Sequence, residues 1–295
     1  MMKKQLKGSI QLLIGTVIWG SAFVAQSVGM DHIGPFTFQT VRSFIAVTAL
    51  FPVIFLMERN SVDLATFKAR WCDFKLWKTG LFCGLALFLA SGLQQVGLVY
   101  TDPGKAGFIT AMYIVLVPVL GLFLGEKCGL NVWISVVLAV AGLYMLSAMG
   151  VSSVNVGDLL LMGCAAMFAV QIMLVDRLGK GLEGLRLNFV QFLVNAVMSC
   201  VMMVLTETPI LENILACAVP LLYTGVMSSA VAFSLQILGQ QHLEPAPASL
   251  IMSLESVFAV LTGWLILGQK LSMTESIGCV LVFAGVILSQ MPEKK

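Results

Sequence analysis

The chain has 295 residues, of which 59% are hydrophobic and only 11% are charged, against roughly a quarter charged in an average soluble domain. So few charges cannot cover a water-facing surface, which excludes a soluble globular protein and points to one integral to a membrane. The net charge of +2 says little; where the charges sit says more.

Apolar runs of about 18 residues or more, enough to cross a bilayer, recur with short loops between them. In chain order they predict spans at Ser9–Gly29, Pro35–Met57, Phe74–Val99, Pro103–Leu124, Asn131–Ala148, Gly157–Val175, Leu185–Leu205, Ile214–Gly239, Pro245–Leu267 and Thr274–Ser289. The expected fold class is therefore an all-α polytopic membrane protein with ten transmembrane helices. The longest polar interval, Met57 to Lys78, leaves no room for a soluble domain. The first run is a full span, so a cleaved signal peptide is not expected.

Lysine and arginine set the orientation, because they are held back on the cytoplasmic side during insertion. With the N-terminus inside, 14 of the 17 basic residues fall in cytoplasmic segments, Lys105 and Lys270 fall outside, and Arg42 lies within a span. Both termini are expected in the cytoplasm, with the chain a multi-pass protein of the cell's inner membrane.

The stretch Leu235–Lys270 repeats Leu93–Lys127. A slide of 142 residues superposes Leu93 on Leu235, Gln94 on Gln236, Gly97 on Gly239, Pro103 on Pro245, Ala106 on Ala248 and Gly121 on Gly263. A slide of 149 brings Gly8 onto Gly157, Trp19 onto Phe168 and Arg42 onto Gln191, and one of 143 brings Ala141-Gly142 onto Ala284-Gly285. The chain thus reads as two five-helix repeats, 1–150 and 151–295, forming one transport domain. Five is odd, so the second repeat enters the membrane from the opposite side. Inverted repeats supply two mirror-like conformations at nearly equal cost, the basis of alternating access.

The seven cysteines lack CxxC spacing and lie mostly within apolar runs, so they read as small buried hydrophobes. His32 and His242 are solitary, which leaves no basis for a metal site, and no cofactor is expected. The chain has no GxxxxGK[ST], HExxH or GxSxG motif, no paired intramembrane acids and no glycine-rich filter. ATP hydrolysis, hydrolase chemistry and a channel pore are therefore disfavoured, and an enzyme is not expected.

Ser253-Leu254-Glu255-Ser256-Val257-Phe258-Ala259, running on through Gly263-Trp264-Leu265 to Leu267-Gly268-Gln269-Lys270-Leu271, resembles a signature of the EamA branch of the drug/metabolite transporter superfamily. Pro118, Gly125, Glu126 and Lys127 carry the same ending in the first copy, and Ile18-Trp19-Gly20-Ser21-Ala22-Phe23 and Arg42-Ser43-Phe44 are similar to further family features. The resemblance covers essentially the whole chain. It implies ten helices, cytoplasmic termini, and a central cavity lined by spans 1, 3, 4, 6, 8 and 9, in a family whose members export amino acids and other small metabolites. Two residues depart from the pattern: Ser256 replaces the usual Pro, which removes an expected kink, and Gln269 replaces the usual Glu.

Candidate site residues follow from polar atoms in apolar runs. Glu255 lies near the middle of its span, where a carboxylate costs about 2.5–3.5 kcal/mol on insertion scales. It reads as a proton or cationic-amine site, or alternatively as a signature carboxylate bonded by Ser253, Ser256 or a facing helix. Its repeat counterpart is Tyr113, expected to face it. Arg42, roughly 10 Å into the membrane by helix rise, is expected to snorkel or cap a helix, with a grip on a substrate carboxylate as the alternative. Its counterpart is Gln191. Gln94 and Gln236 form an identical repeat-matched pair, suited equally to substrate contact and to locking helices together. Trp19, mid-span, is expected at a cavity or packing seam, while Gln171, Asn188, Asn195 and Ser228-Ser229 read as glue between helices.

The sequence therefore points to a secondary active transporter, an expected exporter, of a small polar metabolite such as an amino acid or amine. Importer, exchanger and non-transporting sensor are the alternatives. Its partners are a small-molecule substrate, membrane lipid and, as a candidate coupling ion, protons; nucleic acid is not expected.

Overall fold

Hydrocarbon offers no water to bond a backbone N–H or C=O, so a chain this apolar must satisfy its own peptide groups. In the computed structural model every regular element among the described residues is helical; these residues are 2–59, 62–101, 103–126, 128–147, 155–267 and 272–291. The elements are α1 (Met2–Met30), α2 (Pro35–Glu58), α3 (Leu64–Trp71), α4 (Phe74–Tyr100), α5 (Pro103–Ala111), α6 (Tyr113–Phe123), α7 (Leu130–Ser147), α8 (Val156–Leu178) and α9 (Gly184–Thr206). There follow α10 (Leu211–Ala216), α11 (Ala218–Leu222), a π-helical stretch (Tyr223–Ala232), α12 (Phe233–Gln240), α13 (Pro245–Met252), α14 (Leu254–Leu267) and α15 (Met273–Ser289). Among the described residues, eight helices are long and apolar enough to cross a membrane, and α7 and α15 are shorter apolar helices. The expected 150/151 boundary, Lys127 and Gly268 to Leu271 lie outside the described residues.

Local sequence explains where the helices start. Pro35 and Pro245 occupy first-turn positions, where the missing N–H costs nothing. The start of α2 is capped from a distance: Glu207 accepts from the N–H groups of Phe36 and Thr37, both at 2.8 Å. Asn155 and Asp158 form a reciprocal capping box on α8. The expected polar interval contains a helix that apolar runs could not reveal, α3, whose first turn is capped by the Asp63 carboxylate.

The fourth and ninth expected spans are each broken in two, at Met112 and Ser253. The loss of Pro at Ser256 therefore did not straighten the second copy. Ser249 and Ser253 hydroxyls donate at 2.8 Å to carbonyls three residues back, at Ala246 and Leu250, competing with the helical ladder there. The eighth expected span is subdivided as well, into α10, α11, the π stretch and α12.

Packing turns the usual soluble pattern inside out. Leu6, Ile10, Ile14 and Val17 expose an apolar stripe along α1, while Gln39, Asn188, Gln191, Asn195 and Gln236 are buried. α4 lies along α8 and α9, α2 along α9, α1 along α12 and α14, and α7 along α15. Glycines allow these approaches. A Cβ on Gly8 would meet the Gly239 carbonyl at 2.8 Å, and one on Gly157 would meet the Gly97 carbonyl at 2.9 Å. Under the repeat slides, Gly8 corresponds to Gly157 and Gly239 to Gly97, so the two crossings correspond as well.

Candidate functional site

A central cavity opens where α1, α2, α4, α6, α8, the π stretch and α12 to α14 converge. Trp19, Phe23 and Gln26 stand on one face of α1 at successive turns, and all three line it. Ser91 and Gln94 of α4, Phe168 and Ile172 of α8, Phe233 and Gln236 of α12, and Met252 of α13 complete most of the wall. The lining includes the spans the family resemblance implied and adds α2, through Arg42.

Glu255 and Tyr113 form one side. Both follow directly after the breaks in their spans, and Tyr113 Oη donates to Glu255 Oε1 at 3.1 Å. The partner of Glu255 is thus the facing helix and not a neighbouring serine: Ser253 Oγ donates to the Leu250 carbonyl and Ser256 Oγ to the Gly107 carbonyl. Gly20, beside Trp19 in the first-span motif, lets α1 reach this point. A Cβ there would meet the Glu255 carbonyl at 2.8 Å and Phe258 Cβ at 2.5 Å.

Arg42 is buried and does not snorkel. Its Nη1 donates to Gln26 Oε1 at 2.7 Å, its guanidinium sits 6.0 Å from the Phe38 ring centre, and its Nε–H is buried without a partner among the described residues. The expectation of an interfacial side chain fails because α9 and the π stretch pack over α2; Gly225 there fits closely against the Arg42 carbonyl. Among the described residues, no carboxylate forms an ion pair with Arg42.

Trp19 Nε1 donates to the Ser228 carbonyl at 3.3 Å, and its ring meets Phe233 edge-on at 4.9 Å. The Ser228 carbonyl also accepts the Phe233 N–H across the five-residue π register. Gln236 Nε2 donates to Gln171 Oε1 and Gln240 Oε1, each at 3.0 Å, while Gln236 Oε1 is buried without a partner among the described residues. Gln191 lies outside the cavity wall. It bridges Gln171 and Asn188, at 3.2 and 2.7 Å. Asn195 bonds Gln39 and Ser43 across the seam of α2 and α9, so these amides act as glue.

The structure therefore brings Glu255, Tyr113, Gln94, Gln236, Trp19 and Arg42 to one cavity and leaves Gln191 behind it. Sequence reading missed Gln26, although its spacing from Trp19 and Phe23 placed it on their face.

The two ends of the bundle differ. At the Asn155 end, Lys105 Nζ pairs with Asp158 Oδ2 at 2.6 Å, and Thr101 Oγ1 donates to Asp158 Oδ1 at 3.2 Å, tying α5 to α8. At the Gln240 end a wider opening is lined by Lys4, Asp176, Lys180, Gln240, His242 and Glu244. Asp176 and Gln240 lie one turn beyond Ile172 and Gln236, so opening and cavity share α8 and α12, with the Gln236–Gln240 contact between them.

The sequence profile of the EamA-like transporter family matches this chain twice, over residues 6–148 and 155–291. The chain belongs to that family. It is 33% identical to an uncharacterized transporter of Archaeoglobus fulgidus over 97% of this chain and 86% of that protein. It is 25% identical to the uncharacterized transporter YoaV of Bacillus subtilis over 96% and 97% of the two chains. A chloroplastic WAT1-related protein of Arabidopsis thaliana is 24% identical over 93% of this chain and 67% of its own length. A solved crystal structure shares the fold with a TM-score of 0.74 at 18% identity, covering 96% of both chains. Family membership and the apolar helices together make this EamA-family chain a multi-pass membrane protein.

Proposed function

We propose that this protein is a secondary transporter that moves a small zwitterionic metabolite of the amino-acid class, or a related amine, outward across the inner membrane. The observation that carries this reading is the pairing of one guanidinium and one carboxylate, Arg42 and Glu255, on the wall of a single cavity. A membrane core tolerates such charges only where they face a cavity or each other, and they mark substrate or ion paths.

Gly20 packs against the Glu255 carbonyl, and Gln26 holds Arg42 further along the same helix, so the two charged groups stand at different levels of the cavity. A small molecule charged at both ends can meet both with a hydrogen bond of about 3 Å at each end. Its carboxylate takes the Arg42 edge through charge-assisted bonds, and its ammonium takes Glu255. The aromatic rings of Trp19, Phe23, Phe168 and Phe233 form the apolar wall between them.

The ten-span inverted repeat provides the movement. It is supported by the two profile matches, by the corresponding glycine crossings and by the breaks at Met112 and Ser253, which fall one residue apart under the 142-residue slide. With both termini cytoplasmic, the Gln240 opening is the cytoplasmic entrance, and the Lys105–Asp158 pair ties the outer side shut. Exchange of a proton at Glu255 for the substrate ammonium would couple export to the proton gradient.

A growth-inhibition screen tests this function. Cells overproducing the protein, challenged with toxic concentrations of amino acids, amines and nucleobases, should resist at least one amino acid or amine. Resistance confined to nucleobases, or to none of the three classes, would contradict the proposal.

A further inference from the structure

We infer that Gln26 is a positioning and specificity residue: it holds the Arg42 guanidinium against the cavity with a neutral amide, so that the positive charge stays available to a substrate carboxylate. The inference rests on the proposed reading of the cavity as a zwitterion site.

Three observations carry it. Gln26 and Arg42 are both buried and both line the cavity, and Nη1 of Arg42 donates to Gln26 Oε1 at 2.7 Å. The other end of the amide is used within α1, where Gln26 Nε2 donates to the Ala22 carbonyl at 3.4 Å, which sets Oε1 toward the arginine. Arg42 lines the cavity, and its Nε–H is buried without a partner among the described residues, so the protein does not use all of the guanidinium's donors.

The chemistry then turns on charge. A buried guanidinium has five N–H donors and a full positive charge. A carboxylate at position 26 would satisfy the same Nη1–H, yet it would also neutralise the charge and compete with any carboxylate arriving from substrate. An amide of the same shape supplies the hydrogen bond alone. Gln26 also shares a face of α1 with Trp19 and Phe23, so the helix that reaches Glu255 through Gly20 fixes the guanidinium relative to the opposite end of the site. The position of the substrate carboxylate is thus set from α1, although the charge itself comes from α2.

The test uses the full chain in detergent and reads thermal stabilisation by the twenty L-amino acids and by the amines that result from their decarboxylation. Gln26→Glu should weaken binding of the stabilising amino acids more than about tenfold, since a carboxylate competing for a desolvated charge costs more than 1.4 kcal/mol. The same variant should bind the matching amines as well as wild type does. Gln26→Met, which releases the guanidinium without neutralising it, should weaken amino-acid binding less than Gln26→Glu does. Arg42→Gln should lose amino-acid binding and keep amine binding.

If Arg42→Gln loses amino-acid binding while Gln26→Glu keeps it, the inference about Gln26 fails and the zwitterion site stands. If no amino acid stabilises the wild type, the zwitterion reading fails and takes this inference with it. Equal losses for amino acids and amines in Gln26→Glu would show a merely structural role and overturn the inference.

Discussion

Tyr113 Oη donates to Glu255 Oε1 at 3.1 Å, and the two residues stand 142 positions apart, the interval that superposes the two copies of the sequence. One of these corresponding positions supplies the hydroxyl, the other the carboxylate, each just past a break in its span. Tyr113→Phe removes the donor and keeps the ring. A buried acceptor left without its donor costs about 1–3 kcal/mol, so transport in proteoliposomes should fall about fivefold or more while the folded yield holds. Unchanged flux would show that the bond has no part in the cycle.

Gln94 and Gln236 are matched in sequence but differ in surroundings. Gln236 is tied to Gln171 and Gln240, so Gln236→Ala leaves buried amides short of partners and should cost about 1–3 kcal/mol of stability. Gln94 lines the cavity, and Gln94→Ala should weaken ligand binding with little change in melting temperature. A large loss of stability in Gln94→Ala with unchanged affinity would reverse these roles.

Two glycines give a sharp contrast in packing. Gly20→Ala drives a methyl group to within 2.8 Å of the Glu255 carbonyl, a backbone atom that cannot swing away, whereas at Gly92 the nearest atom lies 3.5 Å from the added carbon. Overpacking costs about 1–3 kcal/mol, while Gly to Ala within a helix gains up to about 1 kcal/mol. Melting curves in detergent should place Gly20→Ala below wild type and Gly92→Ala at or above it. The reverse order would contradict the α1–α14 crossing.

The Lys105–Asp158 pair should act as a latch. In Lys105→Met, a cysteine replacing Ser91 in the cavity should react faster with a membrane-impermeant thiol reagent applied to the outer face. An unchanged labelling rate would mean that the pair does not control access.

Much of this was legible in the sequence because bilayer thickness dictates helix length, and the expected spans coincide with helical stretches to within a few residues, apart from an earlier start to α1, the breaks within the fourth and ninth spans and the subdivided eighth span. What was not legible depends on contacts between distant segments. The break at Ser253 falls where the Ser249 and Ser253 hydroxyls bond to backbone carbonyls, and it occurs without the proline that the family pattern suggests. The burial of Arg42 depends on helices packed over α2, which no local pattern encodes. α3 lay hidden because eight residues make no apolar run, although Asp63 signalled its start. Gln26 was visible on the face of Trp19 and Phe23, but its role appears only when α2 brings Arg42 against it.

On the proposed reading, Glu255 takes part in moving a charged substrate through this cavity. The direct test is flux in proteoliposomes, using the compound that the growth screen identifies, for wild type and Glu255→Gln over a range of pH. The substitution keeps shape and hydrogen bonding but removes the ionisable group. The expected result is a folded variant whose gradient-driven, pH-dependent transport is lost and which binds cationic substrates much more weakly. Transport by Glu255→Gln at the wild-type rate with the wild-type pH profile would contradict it.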